Sequence, residues 1–223
     1  AIAYSPEEDR LVDPYNGEGD AHSGIIRTVG SPETRFQEDG LRLLRAVRLH
    51  AELGFEIEAT TERALAENAG LLGHIAQERI RDEFSRIINS SHPMEGLQMC
   101  QKLGLLSFIV PELEETVGIE QGGTHSYDVW EHLLRSLQHA AEKQYPFHVK
   151  LAALFHDIGK PRSRRKGKQK EWTFYGHEVI GARMAREILG KRLKFAKDTV
   201  SRVTTLVRWH MFFTDTEKIT HSA

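Results

Sequence analysis

Five residues in the second half of the chain are of types that bind metal ions. His156 and Asp157 stand next to each other at the end of an apolar stretch, and His132, His177 and His210 lie on segments with helical periodicity. A polar pair inside an apolar helix needs partners, because burying an unpaired polar group costs roughly 1–3 kcal/mol. Imidazole and carboxylate ligands together suit a divalent transition metal such as Mn, Fe, Ni or Zn. We therefore expect a cation site here, the alternative being histidines satisfied within the core or at the surface.

These elements, in their order along the chain, resemble the HD superfamily of metal-dependent phosphohydrolases. The resemblance implies metal ligation by the five residues and a metal that lowers the pKa of bound water and holds a phosphate. That family usually completes its ligands with a second aspartate, and Asp215, the nearby candidate, is left unassigned. The ligand set for full two-metal chemistry is therefore left incomplete, and a structural site without turnover stays open. We expect His125, His139 and His148 to be ordinary core or surface residues.

A second group of residues, Glu38, Asp39, Arg42, Arg45 and Arg48, lies on a segment with helical spacing. Residues three apart on a helix are neighbours on one face, so Asp39 and Arg42 are expected to project together. A guanidinium donates to the acceptors of cytosine or adenine, and a carboxylate accepts from the exocyclic amine of either base. Arg45 and Arg48 are expected to contact phosphates or RNA. On the spacing alone, the favoured interpretation is an ordinary surface ion pair, worth about 0.2–0.5 kcal/mol.

The elements that position these residues are mostly α-helical. Short apolar runs between turn residues predict two or three strands in residues 1–30. Ser31 followed by Pro32 predicts a helix start, and Gly54 its end. Further helical periodicity continues to residue 104, a linker is expected over residues 118–123, and the last hundred residues are again helical. A basic stretch, residues 160–170, is expected to form a hairpin.

The whole chain is similar to the class II, bacterial-type tRNA nucleotidyltransferases and related poly(A) polymerases. The stretches that carry the resemblance are Leu11-Val12-Asp13-Pro14-Tyr15-Asn16-Gly17, Ile26-Arg27-Thr28-Val29-Gly30, Glu38-Asp39-x-Leu41-Arg42-x-Leu44-Arg45-Ala46-x-Arg48, Glu78-Arg79-Ile80, Pro111-Glu112-Leu113 and Tyr127-Asp128-Val129-Trp130-Glu131-His132. The resemblance implies a remnant of a nucleotidyltransferase head (1–30), a helical neck (31–73), a helical body (74–120) and an HD domain (121–223).

For function, the resemblance implies addition of C and/or A to the 3′ end of tRNA from CTP and/or ATP. Asp39 and Arg42 would read the base, and Glu38 would support them. The family's catalytic carboxylates, which hold Mg²⁺, are expected upstream of Ala1, so that this polypeptide alone is not expected to transfer nucleotides. Gly40 departs from the alanine or proline expected in the family. The alternatives are an HD phosphohydrolase acting on 2′,3′-cyclic or terminal phosphates, and a non-catalytic tRNA-binding scaffold.

Net charge, apolar runs and cysteine content bear on the expected RNA contact, membrane association and location of the protein. The net charge is −2, so an RNA contact has to come from local patches, and Arg162, Arg164, Arg165 and Lys166 in the basic stretch are candidates for tRNA. No apolar run reaches the roughly 18–20 residues of a membrane span. The single cysteine excludes an intrachain disulfide, and with no signal-like N-terminus a cytoplasmic location is expected.

Overall fold

The computed structural model describes residues 2–121, 127–167 and 172–211, and these residues form a mostly α-helical fold, as predicted. The strands are β1 (Ala3–Ser5), β2 (Arg10–Val12), β3 (Ile25–Ile26), β4 (Glu56–Ile57), β5 (Arg165–Lys166) and β6 (Trp172–Thr173). The helices are α1 (Gly17–Ser23), α2 (Pro32–Glu38), α3 (Leu41–Leu53), α4 (Ala59–Glu67), a 3-10 helix (Ala69–His74), α5 (Gln77–Asn89), α6 (Pro93–Lys102), α7 (Leu106–Ile109), α8 (Pro111–Glu114), α9 (Val129–Glu142), α10 (Phe147–Phe155), α11 (Lys160–Ser163), α12 (His177–Arg186), a π-helix (Glu187–Arg192) and α13 (Lys197–Trp209).

The strands predicted in the first thirty residues are present but short. β1 and β2 form an antiparallel hairpin, and β3 pairs in parallel with β4. Helix α1 was not predicted, because Asn16 and Gly17 are typical of a turn. Instead, the Asp13 carboxylate accepts hydrogen bonds at 2.8 Å from the backbone N–H groups of Gly17 and Glu18 and starts a helix there.

The single helix predicted from Ser31 to Gly54 is wrong, since it is two helices. Ser31 caps α2 as predicted, with its hydroxyl accepting from the Thr34 N–H. Asp39 then adopts an extended conformation, with φ −154° and ψ 103°. Its carboxylate accepts the Leu41 N–H at 3.1 Å, which gives α3 its own start. Close packing against Leu71 also contributes to the break between α2 and α3, because a Cβ on Gly40 would lie 3.0 Å from the Cβ of Leu71.

One continuous hydrophobic core joins the helices of both halves. The apolar stripes of α3 and α5 pack on each other, with Val47, Phe84 and Ile88 fully buried. Helix α6 then contacts α9, and α5 contacts α10. Helix α10 is apolar on most of its surface and packs between α9 and α13, as a central helix must. This packing brings the ends of α10, α12 and α13 to one place.

Local hydrogen bonds also shape the second half. Asp128 caps α9 by accepting the Glu131 N–H at 2.7 Å. As expected for a hairpin, β5 in the basic stretch pairs antiparallel with β6, with Arg165 opposite Thr173 and Lys166 opposite Trp172. Helix α12 runs on into the π-helix before the chain turns into α13. Among the helices of the described residues, none combines the length and the apolar character that a membrane span requires.

Candidate metal centre and base-reading element

The Asp157 side chain lies at the centre of four histidines. Its Oδ2 atom is 3.4 Å from Nε2 of His132 and 3.2 Å from Nε2 of His156. Its Oδ1 atom is 3.1 Å from Nε2 of His177 and 3.5 Å from Nε2 of His210. The structure thus brings together all five predicted ligand residues, and the two carboxylate oxygens divide them into two groups that share Asp157.

Backbone hydrogen bonds orient three of the four imidazole rings. The Nδ1 atoms of His156, His177 and His210 lie 2.7–2.9 Å from the carbonyl oxygens of residues three positions earlier. A carbonyl only accepts, so each Nδ1 carries a proton, and each ring directs its Nε2 atom towards Asp157. This is the orientation that metal-binding histidines adopt.

Close contacts between ring nitrogens also fit a cation. Nε2 of His132 lies 3.0 Å from Nε2 of His156, and Nε2 of His177 lies 3.2 Å from Nε2 of His210. Two unprotonated nitrogens this close repel each other unless a proton or a metal ion lies between them. Since borderline divalent metals bind imidazole and carboxylate together, the donor set fits such an ion at each group.

The histidines around Asp157 keep its buried carboxylate ionised. Asp157 is only 3% exposed. Burial alone would raise the pKa of its carboxyl, but hydrogen bonds from His156, His177 and His210 hold that pKa well below its ordinary value. Burial likewise opposes protonation of His210, yet the hydrogen bond to Asp157 leaves the pKa of His210 raised. The centre is therefore negative at its middle, as a cation site requires.

Lys160 also belongs to this centre, and sequence reasoning missed it by assigning it to the basic stretch. Its Nζ atom lies 2.6 Å from Oδ2 of Asp157 and donates at 2.6 Å to Oε1 of Gln121. Lys160 is three residues after Asp157, on the first turn of α11, so its proximity was visible in the spacing. The ammonium group neutralises part of the Asp157 charge.

Gly159 allows α11 and α12 to approach this closely. A Cβ at this position would lie 2.2 Å from the carbonyl oxygen of His177 and 2.7 Å from the backbone nitrogen of Gly181. Sequence analysis treated Gly159 only as a helix end. In the structure its lack of a side chain lets the His156-Asp157 pair meet the start of α12, where His177 is the first residue.

The remaining histidines of this region are placed as follows. His139 is exposed on α9 and His148 is half-buried. In the part of the chain that the structure describes, neither belongs to a group able to hold a metal ion. His125 and Asp215, the unassigned candidate for a last acidic ligand, lie outside the described residues.

The prediction that Asp39 and Arg42 project from one face of a continuous helix is wrong, because the helix breaks at Asp39. The two residues nevertheless stay close through the backbone, where the Arg42 N–H donates to the Asp39 carbonyl at 3.0 Å. Nη1 of Arg42 donates at 2.6 Å to Glu38 and at 2.9 Å to the carbonyl of Arg35. Glu38 thus holds Arg42, which agrees with a supporting position.

Asp39 is held by a residue that sequence reasoning missed. Nη2 of Arg79, on α5, donates at 3.0 Å to Oδ2 of Asp39, while Oδ1 accepts from Leu41. Burial alone would raise the pKa of Asp39, but these two hydrogen bonds hold it below its ordinary value. The hydrogen bond from Arg42 similarly lowers the pKa of Glu38. Both carboxylates are therefore ionised at neutral pH.

Arg45 and Arg48, predicted to contact phosphates or RNA, carry ion pairs within the protein. Both reach Glu83 on α5, at 3.3 Å and 3.0 Å respectively, and Arg48 also lies 3.5 Å from Glu52. The Arg48 side chain is only 11% exposed, whereas that of Arg45 is 48% exposed. Of the two, only Arg45 presents substantial surface to a ligand.

The four candidate residues of the basic stretch fall into two kinds. Arg162 makes two hydrogen bonds to the Glu115 carboxylate, at 2.6 and 2.9 Å. The Arg164 guanidinium stacks over the Trp172 ring at 3.7 Å from its centroid. Arg165 and Lys166 lie exposed on β5. Arg165 and Lys166 thus stay exposed on the hairpin, although the Lys166 Nζ atom also lies 5.8 Å from the Trp172 centroid.

Two family models match the chain. One, described as the probable RNA and SrmB-binding site of polymerase A, matches residues 54–116. The other, the HD domain, matches residues 122–223. Between them they cover the helices α4 to α8 and the whole candidate metal centre.

Curated relatives and solved structures agree with these models. The chain is 41% identical over 187 residues to a CC-adding tRNA nucleotidyltransferase of Thermus thermophilus, covering 80% of this chain and 43% of the relative. It is 37% identical over 213 residues to an A-adding tRNA nucleotidyltransferase of Deinococcus radiodurans, covering 92% and 48%. The structure of a Thermotoga maritima CCA-adding enzyme complexed with tRNA superposes with a TM-score of 0.57 at 20% identity, covering 93% of this chain and 45% of that one, a likeness of fold.

The chain spans about half the length of the curated relatives it matches. With the RNA-binding and HD models on one chain, and with relatives of this identity across both, the chain belongs to the bacterial-type tRNA nucleotidyltransferase family with a C-terminal HD domain.

Proposed function

We propose that this chain is the part of a tRNA nucleotidyltransferase that selects the incoming nucleotide, in an enzyme that adds C and/or A to the 3′ end of tRNA from CTP and/or ATP. The observation that carries the proposal is the pair of fixed side chains at the break between α2 and α3. Arg79 holds the Asp39 carboxylate and Glu38 holds the Arg42 guanidinium. The nucleotide transfer itself would use Mg²⁺ bound by carboxylates of the longer protein.

The chemistry of the pair suits cytosine and adenine. Each carboxylate oxygen of Asp39 accepts one hydrogen bond within the protein and has a further lone pair for an exocyclic amine. Arg42 uses Nη1 for both of its bonds to protein acceptors, so its Nη2 and Nε edge would donate to the base. Guanine and uracil present the opposite order of donor and acceptor, and each mismatch would leave a charged group unpaired.

Nucleotide preference in the full-length protein tests this role. Arg42→Ala should lower kcat/KM for CTP and ATP by about 100-fold or more, and remove most of the preference over UTP and GTP. The matched control is Arg86→Ala, which removes an exposed arginine of α5 that pairs with Glu52. If Arg42→Ala keeps the wild-type preference, Arg42 does not read the base.

The candidate metal centre favours a second function, hydrolysis of a phosphate ester. This second function is supported by the four histidines that converge on Asp157, which are His132, His156, His177 and His210. A bound Mn²⁺ or Ni²⁺ would supply an activated water and a clamp for the phosphate. The imidazoles and Asp157 would hold the ion, and Lys160 would hold the carboxylate and attract the anionic ester.

Hydrolysis of 2′,3′-cyclic AMP in the presence of Mn²⁺ or Ni²⁺ tests this second function. Attack by water opens the cyclic ester to 2′- or 3′-AMP, and a second hydrolysis of that monoester would release phosphate. The wild-type protein should form one or both of these products, and Asp157→Ala should form neither. If the wild type is inactive, or if Asp157→Ala is equally active, the hydrolase proposal fails and a structural metal centre in a tRNA-binding scaffold is left.

We propose that the basic hairpin formed by β5 and β6 contacts tRNA. Separately, we expect a cytoplasmic location for the protein. Arg165 and Lys166 would meet tRNA phosphates directly, while Arg164 on Trp172 stiffens the hairpin. Arg165→Ala with Lys166→Ala should weaken tRNA binding and reduce its salt dependence by roughly 2 in log–log slope. An unchanged affinity at low salt would contradict this contact.

A further inference from the structure

A groove of about 860 Å³ runs between α12 and α13, on the side of these helices next to the π-helix. None of the residues discussed so far for base reading or metal binding lines it. Its floor is formed by small and apolar side chains, among them Ala182, Val200 and Thr204. Its rims carry long charged side chains and one exposed tryptophan.

The charge of the groove is strongly positive. Its basic lining residues are Arg183, Arg186, Lys191, Lys197 and Arg208, and its one acidic lining residue is Glu187. Lys191 is paired with Glu187 at 2.7 Å, and Arg208 lies 3.6 Å from Glu178, which does not line the groove.

Three of the cations have no acidic partner among the described residues. Among the described residues, no carboxylate lies within ion-pair distance of Arg183, Arg186 or Lys197, and all three side chains are exposed. In a chain whose net charge is −2, this is a local concentration of positive charge. Such a surface attracts a polyanion.

Trp209 distinguishes the groove from a plain basic patch. It lines the groove at the end of α13, is 57% exposed, and has the Arg208 guanidinium over its ring at 4.7 Å from the centroid. Large exposed aromatic rings beside arginines are the platforms on which unpaired nucleobases stack. Paired bases within a duplex do not present a face for such stacking.

Trp209 also joins the groove to the metal centre. It and Thr205 line both the groove and a smaller cleft of about 430 Å³. That cleft is mainly apolar, with Leu206 and Ala152 in its walls, and it includes the candidate ligands His156 and His210. A strand in the groove would therefore pass Trp209 on its way to the metal centre.

We propose that the α12–α13 groove binds single-stranded RNA, with its phosphates on Arg183, Arg186 and Lys197 and a base on Trp209, and that it directs the end of the strand towards the metal centre. The proposal deepens the proposed function, since it rests on RNA as the partner. Charge complementarity and the aromatic platform identify the ligand as an unpaired polynucleotide.

The proposal is tested by measuring how the protein binds a fluorescent RNA oligonucleotide. A length of about ten nucleotides is typical for single-strand sites. Fluorescence anisotropy at two salt concentrations gives Kd and its salt dependence. The triple variant Arg183→Ala/Arg186→Ala/Lys197→Ala should weaken Kd at least about ten-fold, and lower the log–log salt slope by roughly 2. Trp209→Ala should weaken Kd by about ten-fold or more, with little change in that slope.

The matched control for the triple variant is Arg10→Ala/Arg63→Ala/Arg202→Ala, which removes the same charge from three exposed arginines that do not line the groove. This control should keep the wild-type affinity within about two-fold. A blunt-ended RNA duplex of equal length should compete poorly with the single strand, because it offers no base to Trp209.

Three results would overturn the proposal. The first is that the wild type does not bind the oligonucleotide. The second is that the groove triple variant and the control triple variant lose RNA affinity equally. The third is that the wild type binds the duplex as tightly as the single strand. Hydrolysis of 2′,3′-cyclic AMP to 2′- or 3′-AMP by the groove variant keeps failure of the two ideas distinguishable. If the variant hydrolyses this small ester normally but loses RNA, the groove proposal stands whatever nucleotide preference the full-length protein has.

Discussion

The Arg79 guanidinium on α5 lies 3.0 Å from the Asp39 carboxylate, which stands in the break between α2 and α3. The two residues are forty positions apart in the sequence, so the fold supplies this contact. A carboxylate in an extended segment is free to turn, whereas one held by a backbone N–H and a guanidinium has a fixed direction. Arg79 is therefore a positioning residue for the proposed base reader.

Arg79→Ala should release Asp39 without removing it. The pKa of Asp39 should then rise towards its ordinary value of 3.8, as measured by NMR titration of the side-chain carboxyl group. In the full-length protein, kcat/KM for CTP should fall roughly 10- to 100-fold, with a smaller change for UTP. Arg86→Ala on the same helix is the control, and equal losses for CTP and UTP in Arg79→Ala would contradict a positioning role.

The sequence predicts well those features that depend on neighbouring residues. The Ser31 cap and the antiparallel pairing of β5 with β6 follow from local hydrogen bonding and turn preferences, and the structure has them. The five metal-binding candidates were also predicted, because a His-Asp pair ends an apolar helix and three further histidines lie on helical segments, and the structure brings all five together.

Features that depend on distant contacts were not predictable in this way. Both arms of the α2–α3 segment have helical periodicity, and only the approach of Leu71 to Gly40 and the hydrogen bond from Arg79 show why Asp39 leaves the helix. The ion pairs of Arg45 and Arg48 with Glu83 likewise depend on how α3 packs on α5. The spacing of residues in the sequence predicts which side chains are neighbours on one helix, but it does not predict their partners on another helix across the core.

Asp157 should be the residue on which metal binding depends most, because both histidine groups share its carboxylate. Saturating Mn²⁺ or Ni²⁺ should stabilise the wild type by roughly 2.7 kcal/mol at 100 times Kd, measured as a rise in Tm over the EDTA-treated protein. Asp157→Asn should abolish this rise and His132→Ala should reduce it. His139→Ala, an exposed histidine on the same helix as His132, should leave it unchanged. A full rise in Asp157→Asn would contradict the shared carboxylate.

Gly159→Ala should damage the metal centre through the backbone. The added Cβ would collide with the His177 carbonyl and the Gly181 nitrogen, neither of which is a flexible side-chain end. We expect a loss of roughly 3 kcal/mol or more in the free energy of unfolding. The variant should also lose the metal-dependent rise in Tm, because His177 moves away from Asp157.

The control for this substitution is Gly190→Ala, whose Cβ would make an ordinary contact of 3.8 Å with Val200. It should change the free energy of unfolding by no more than about 1 kcal/mol. Urea unfolding with and without Mn²⁺ measures both effects. If Gly159→Ala unfolds and binds metal like Gly190→Ala, the close approach of α11 and α12 is not what forms the centre.

The ion pair between Glu112 and Arg192 should make stability depend on pH, because it ties α8 to the π-helix. Two hydrogen bonds of 2.6 and 2.8 Å join the side chains, and the Glu112 side chain is 14% exposed. Burial alone would raise the pKa of Glu112, but the bonds from Arg192 hold it below its ordinary value of 4.5. The stabilisation is therefore complete above the unfolded pKa, and it is lost as pH falls below about 4.5 towards the folded pKa.

Glu112→Gln should lower the free energy of unfolding at pH 7 by about 1.5–3 kcal/mol, since it removes a charged partner from a half-buried arginine. Below pH 4.5 the difference from the wild type should shrink, because the Glu112 carboxyl of the unfolded wild type then begins to protonate and favours unfolding. Glu187→Gln, which removes an exposed i,i+4 partner of Lys191, should cost no more than about 0.5 kcal/mol at either pH. Urea unfolding at pH 7 and pH 4 measures all three proteins, and a Glu112→Gln deficit that is the same at both values would show that packing, not the ion pair, joins α8 to the π-helix.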